Sequence, residues 1–306
     1  MGSAAEQRTV SANALDYALT LLTVIVWGGS FAATKYAIGG AGPILTIFMR
    51  FVLSIPVLWL GMKFEKCARF PTKKEFWPLL LMGFQGILFH QGIQSYALQT
   101  AGAANSNWLF AATPTIVALF GWIFLKEKLS HLNMAGLALA TLGIFTVMGF
   151  GTVKPPSSGC LLFGVGDLLM LLSFFNWAAF LIITRKILSA DLSPSFVLFW
   201  EILFAAILCI PAALFLGCDF SRVWSFAPQT WGALIFLGVF ASALGYFFWF
   251  HALSVLPVAR VVVFQFIQPL AGAAIAYLLV GERYTIWLFA GGAMIICGVC
   301  MVNRKG

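Results

Sequence analysis

Apolar runs of about 20 residues recur along the whole chain, separated only by short joints. Wound as an α-helix at ~1.5 Å per residue, such a run matches the ~30 Å hydrocarbon core of a bilayer. Within that core every backbone N–H and C=O must be satisfied by protein, so only helices and closed barrels span it. A membrane barrel would read as alternating segments of ~10 residues, and the 306 residues contain none. Composition excludes the soluble alternatives. The chain is 61% hydrophobic and 9% charged, where a soluble protein carries about 25% charged residues. The fold class expected is therefore an all-α membrane protein.

At roughly 30 residues per span and joint, the chain accommodates about ten spans. They are placed at 15–38, 43–62, 76–99, 102–125, 132–150, 163–188, 193–216, 227–252, 256–280 and 285–302. Gly39, Gly40, Pro43, Gly102, Pro155, Pro156, Pro194, Gly217, Pro228, Pro257 and Gly281 punctuate the joints. Residues 1–14 and 303–306 are polar tails. No joint is long enough for a soluble catalytic domain, and the first run lacks a cleavage motif, so it is read as a retained span.

The net charge of +8 could suggest a nucleic-acid partner, but its distribution argues against one. With the N-terminus inside, the inner segments hold Arg8, Lys63, Lys66, Arg69, Lys73, Lys74, Lys126, Lys128, Arg185, Lys186, Arg304 and Lys305. The outer side holds Lys35, Lys154, Arg222 and Arg283, while Arg50 and Arg260 lie within spans. Positive charge concentrates in cytoplasmic loops, so both termini are expected in the cytoplasm. The expected surroundings are a lipid bilayer and a small-molecule substrate, with no nucleic acid. A monomer is compatible with this pattern, and the oligomeric state is left open.

The chain repeats itself. At a shift of 155 residues from Gly83, Pro114 falls on Pro269, Glu127-Lys128 on Glu282-Arg283, and Gly136 and Gly143 on Gly291 and Gly298. At a shift of 150, Trp27 falls on Trp177, Thr34 on Thr184 and Lys35 on Arg185. The repeats are 15–150 and 163–302, joined by an outer linker at 151–162. Five spans per repeat is an odd number, so the second repeat must enter the membrane in the opposite sense. Inverted repeats of this kind build secondary transporters whose substrate site lies near the midplane between the halves.

The elements Trp27-Gly28-Gly29-Ser30-Phe31, Thr113-Pro114, Gln268-Pro269 and Gly281-Glu282-Arg283 together resemble the paired EamA domain of the drug/metabolite transporter superfamily. The second half departs from the first pattern at Trp177-Ala178-Ala179. The aromatic richness is most similar to that of bacterial aromatic amino acid exporters. The resemblance implies a central cavity lined by spans 1, 3, 4, 6, 8 and 9. It also implies transport by alternating access in the bacterial cytoplasmic (inner) membrane.

Depth along the spans singles out candidate residues. Trp27 and Trp177 lie ~18–21 Å from their span starts, near the midplane. There an indole N–H needs a partner. Pro114 and Pro269 are equally deep and should free the carbonyls of Phe110 and Gln265, which makes them candidate hinges. His90, Gln91 and Gln94 share a polar face of the third span, and such a face must point into the bundle. Trp108, Asn176, Tyr246 and Gln265 complete the candidate cavity. Arg50, Asp167, Glu201 and Arg260 are the ionisable groups read as gates or ion pairs, with Arg50 matched in depth to Asp167 and Glu201 to Arg260. Helix packing, plain kinks and structural ion pairs remain the alternative readings.

Nothing indicates an enzyme. Cys297 and Cys300 are spaced C-x-x-C but within an apolar helix end, and Cys160 and Cys218 are the one pair placed together in outer joints. The three histidines have no metal spacing, and no nucleotide loop or catalytic constellation occurs. No cofactor or metal is expected. The leading reading is a secondary exporter of small metabolites, especially aromatic amino acids. Its rivals are a multidrug or organic-cation efflux carrier and, from another class, a channel or intramembrane enzyme. No carboxylate lies near the midplane, so His90 is the central candidate for a proton carrier. Facilitative transport is the favoured expectation.

Overall fold

The computed structural model describes residues 14–113, 115–116, 119–120, 123, 130–151, 164–187, 192–255, 264–265 and 267–302. These residues are helical apart from joints. The helices are α1 (Ala14–Ala41), α2 (Pro43–Phe64), α3 (Lys73–Met82), α4 (His90–Ala97), α5 (Ala103–Phe110), α6 (His131–Phe150), α7 (Val165–Ile187), α8 (Pro194–Phe215), α9 (Pro228–Ile235), α10 (Gly245–Val255), α11 (Ile267–Val280) and α12 (Ile286–Val302). A 3₁₀ turn at Phe220–Ser225 precedes α9. Among the described residues, five helical segments are long and apolar enough to cross a membrane, and three shorter apolar helices accompany them.

Two stretches of π-helix were not foreseen from sequence. Gly83–Phe89 joins α3 to α4, and Phe236–Leu244 joins α9 to α10. Gly83 and Phe89 map onto Gly238 and Leu244 at the 155-residue shift, so the same distortion occupies the same place in both repeats. A π-stretch widens the helix and disturbs its i→i−4 ladder, a distortion common at functional sites. Neighbouring helices approach closely at both. A Cβ on Gly83 would lie 2.6 Å from the Glu201 carbonyl oxygen of α8, and one on Gly238 would lie 2.9 Å from the Arg50 carbonyl oxygen of α2. Arg50 and Glu201 therefore hold corresponding places in the two repeats, with opposite charge.

The crossing of α6 and α12 follows the same logic. A Cβ on Gly136 would stand 2.7 Å from the Gly298 carbonyl oxygen, and one on Gly143 would stand 2.7 Å from that of Gly291. The reciprocal distances are 2.6 Å from Gly298 to Gly136 and 2.9 Å from Gly291 to Gly143. Gly136 and Gly291 are repeat mates, as are Gly143 and Gly298. The two contacts thus exchange under the 155-residue shift, and α6 and α12 cross antiparallel. Small residues let backbones meet where lipid offers little hydrophobic drive for helix association.

Of the two candidate hinge prolines, only Pro269 is described. Pro114 lies outside the described residues. Pro269 sits in the first turn of α11, where its missing N–H is tolerated, and the chain breaks before it at Gln265. The Gln265 carbonyl is not left free, because it accepts the Gln268 N–H at 3.1 Å. In the first repeat the Phe110 carbonyl accepts the Thr113 hydroxyl at 2.6 Å. In both places the carbonyl is satisfied locally. Arg260, Cys160 and the polar tails also lie outside the described residues.

Candidate substrate site

α1 is the axis of the site. It packs on α11 and α10, and Gly28 brings it to backbone contact: a Cβ there would lie 2.7 Å from the Gln268 carbonyl oxygen and 2.9 Å from the Gly272 nitrogen. Asn107 of α5 ties to the same point by donating to the Gly28 carbonyl at 3.0 Å. One residue earlier, the Trp27 indole donates to the Ala241 carbonyl at 2.9 Å, within the second π-stretch. Its ring packs on Tyr246 at 5.3 Å and on Trp249 at 5.1 Å. α10 continues to Val255, six residues or ~9 Å beyond Trp249.

The second tryptophan occupies the opposite wall. Trp177 of α7 stacks on His90 at 4.9 Å and 27°, and on Phe180 at 5.1 Å. The Nδ1 of His90 lies 3.0 Å from the Ser173 carbonyl, and its Nε2 lies 3.1 Å from the Gln94 side-chain nitrogen. One ring nitrogen thus meets an acceptor and the other a donor, the pattern of the Nδ1–H tautomer. Asn176 and Gln85 exchange hydrogen bonds: Gln85 donates to the Asn176 side chain at 2.9 Å, and Asn176 donates to the Gln85 carbonyl at 3.1 Å.

Arg50 joins the two walls. It is 6% exposed, and its Nε donates to the Ser242 hydroxyl at 2.6 Å while its Nη1 donates to Gln91 at 3.0 Å. Ser242 adjoins the carbonyl that holds Trp27, and Gln91 adjoins His90. The sequence reading paired Arg50 with Asp167, and the structure corrects this. Arg50 bonds to amide and hydroxyl groups instead, while Asp167 accepts the Gly164 N–H at its own helix start, 3.0 Å away. Glu201 is 3% exposed, and its Oε1 has no hydrogen-bond partner.

Among the described residues, two other candidates make no hydrogen bond or ring contact with this group. Trp108 is buried, and a Cβ on Gly292 of α12 would meet its ring at 2.3 Å, so it serves helix packing. Gln265 is half-buried at the break before α11. The sequence reading missed the contacts at the two ends of α1. At one end Asp16 meets His251 at 3.1 Å. At the other, Glu282 accepts Lys35 at 2.8 Å and the backbone N–H groups of Ala103 and Ala104 at 2.7 and 3.1 Å. The Lys35 ammonium also reaches the Ala101 carbonyl at 2.9 Å. The repeated Glu282-Arg283 pair was the sequence signal available for this second contact.

Known proteins resemble the chain throughout its length. An archaeal protein named "Uncharacterized transporter", from Archaeoglobus fulgidus, is 27% identical over 293 residues, covering 96% of this chain and 99% of its own. A "Probable amino-acid metabolite efflux pump" of Escherichia coli (strain K12) is 26% identical over 292 residues, covering 93% of each. A "Probable terminal-alkyne amino-acid exporter" of Streptantibioticus cattleyicolor is 22% identical, covering 93% of this chain and 92% of its own. A solved crystal structure shares the fold with a TM-score of 0.66 at 17% identity, covering 95% of this chain and 97% of that one. Residues 15–149 and 164–304 each match the EamA-like transporter family. The chain is therefore a multi-pass membrane protein and belongs to the EamA-like transporter family, within the drug/metabolite transporter superfamily that its sequence resembles.

Proposed function

We propose that this protein exports amino acids, aromatic ones included, across the bacterial cytoplasmic membrane. In this reading ten spans form two inverted repeats with both termini in the cytoplasm. Substrate crosses by alternating access between the repeats. The observation that carries the proposal is the continuous line from Trp27 through Ala241, Ser242, Arg50, Gln91 and His90 to Trp177. It sets flat apolar walls beside buried hydrogen-bonding groups, and a small amphipathic molecule with an aromatic part needs both. The names of the similar efflux pumps favour the same substrate class.

Transport in this reading is facilitative. Both His90 ring nitrogens are engaged, by the Ser173 carbonyl and the Gln94 side chain, and among the described residues no carboxylate bonds to the ring. The experiment is export from cells, repeated as counterflow in proteoliposomes with amino acids and organic cations as competing substrates. Counterflow of organic cations in place of amino acids would reassign the substrate class.

Trp177→Ala should lower counterflow of phenylalanine and tryptophan about tenfold and that of alanine less than twofold. The variant removes stacking surface worth about 1.4 kcal/mol and leaves the hydrogen bonds in place. Equal loss for both substrate types at matched expression would remove Trp177 from the site.

A further inference from the structure

Arg50 carries three N–H groups beyond the two it gives to Ser242 and Gln91, and both N–H groups of Nη2 are among them. Neither of its partners bears a charge. The described carboxylates are engaged or distant: Asp16 meets His251, Glu282 holds Lys35 and the start of α5, and Asp167 closes its own helix start. Among the described residues no ion pair joins Glu201 to Arg50, and their backbones are offset along the bundle axis. Gly61 faces Ser195, and Ile44 clusters with Cys209 and Ala213, so α2 and α8 run antiparallel. That register sets Arg50 level with Ala206, five residues or ~7.5 Å along the axis from Glu201.

A buried guanidinium without a counter-charge is expensive inside a membrane protein and marks an ion pathway or a substrate charge. Its planar fork matches a carboxylate in two parallel hydrogen bonds. Its two partners lead to the rings: Ser242 follows the Ala241 carbonyl that holds Trp27, which packs on Tyr246, and Gln91 follows His90, on which Trp177 stacks. We propose that Arg50 is the anchor for the substrate's carboxylate and that it selects carboxylate-bearing molecules with an aromatic or apolar body. Ser242 and Gln91 hold the guanidinium so that its Nη2 edge is presented to the substrate. This inference rests on the exporter reading and names the group by which the substrate is held.

The test uses purified full-length protein and three probes that differ only in their charged groups: L-phenylalanine, 3-phenylpropionate and phenethylamine. Affinities come from ligand-induced thermal stabilisation, and counterflow of L-phenylalanine is measured alongside. The parent protein should bind the two carboxylates at least tenfold more tightly than phenethylamine. Arg50→Gln should lose that preference, and Arg50→Lys should recover part of it, because an ammonium restores the charge without the fork. Arg50→Lys also serves as the check if Arg50→Gln does not fold.

Equal affinity of the parent for phenethylamine and 3-phenylpropionate would overturn the proposal, as would binding of no carboxylate or an unchanged preference in the variants. Tight binding of 3-phenylpropionate that depends on Arg50, without counterflow of L-phenylalanine, would overturn the exporter reading and leave the anchor standing. Undiminished L-phenylalanine counterflow in Arg50→Gln would do the reverse.

Discussion

Gly143→Val should lower the stability of the detergent-solubilised protein by about 3 kcal/mol, read as a fall in its melting temperature. A Cβ at this position would stand 2.7 Å from the Gly291 carbonyl oxygen and 2.9 Å from the Ile295 nitrogen. These are backbone atoms of α12 and cannot rotate aside. The helices would have to separate, and every contact along their crossing would weaken with them. Gly92→Ala is the control, because a Cβ there meets nothing within 4 Å. A melting temperature for Gly143→Val equal to that of Gly92→Ala would mean that α6 and α12 do not cross at these glycines.

Glu282→Ala should release one end of the bundle. The carboxylate is mostly buried, with its side chain 10% exposed, and it holds Lys35 of α1 together with two N–H groups at the start of α5. A carboxylate at a helix N-terminus meets the positive end of the helix dipole as well as free donors. Its removal leaves the ammonium and both amides without that acceptor. Lys35 is 28% exposed, so water recovers part of the loss, and about 2 kcal/mol remains. If this contact closes one face of the carrier, that energy shifts the open population roughly thirtyfold. The measurement is thiol labelling of Ala103→Cys in a background without native cysteines. Labelling should be at least tenfold faster when Glu282 is replaced. Lys35→Met should have a smaller effect, because the carboxylate keeps both amides. Equal labelling rates with and without Glu282 would reduce the contact to a static cap.

Much of the architecture is legible in the chain because repetition needs no partner to be seen. The 155-residue shift aligns Gly136 with Gly291 and Gly143 with Gly298, and in space these residues form two reciprocal contacts. The same shift relates the two π-stretches, although the sequence shows no sign that the helix widens there. Gly83 and Gly238 mark the places, but glycine alone does not tell a π-stretch from a close crossing.

The site was legible in part. Helical spacing placed His90, Gln91 and Gln94 on one face and Trp27 and Trp177 at similar depth, and the structure joins them through Arg50. Depth matching failed for Arg50 and Asp167. Two charges at one level pair only if their helices present them to each other, and here Arg50 is taken up by Ser242 and Gln91. Trp108 was a candidate for its place near the polar start of its span, and its helix turns it toward Gly292.

The sequence by itself determined the membrane class, the family resemblance and the internal repeat. Hydropathy, charge bias and periodicity are properties of a single strand of residues. Only the tertiary structure decided which polar group answers which. It gave the Ala241 carbonyl to Trp27, Ser242 and Gln91 to Arg50, and Glu282 to Lys35 and α5. A span's sequence gives each side chain a depth and a direction about its own axis. The identity of the facing helix depends on the close approach that residues such as Gly28, Gly83 and Gly238 permit. That approach is a property of two helices together.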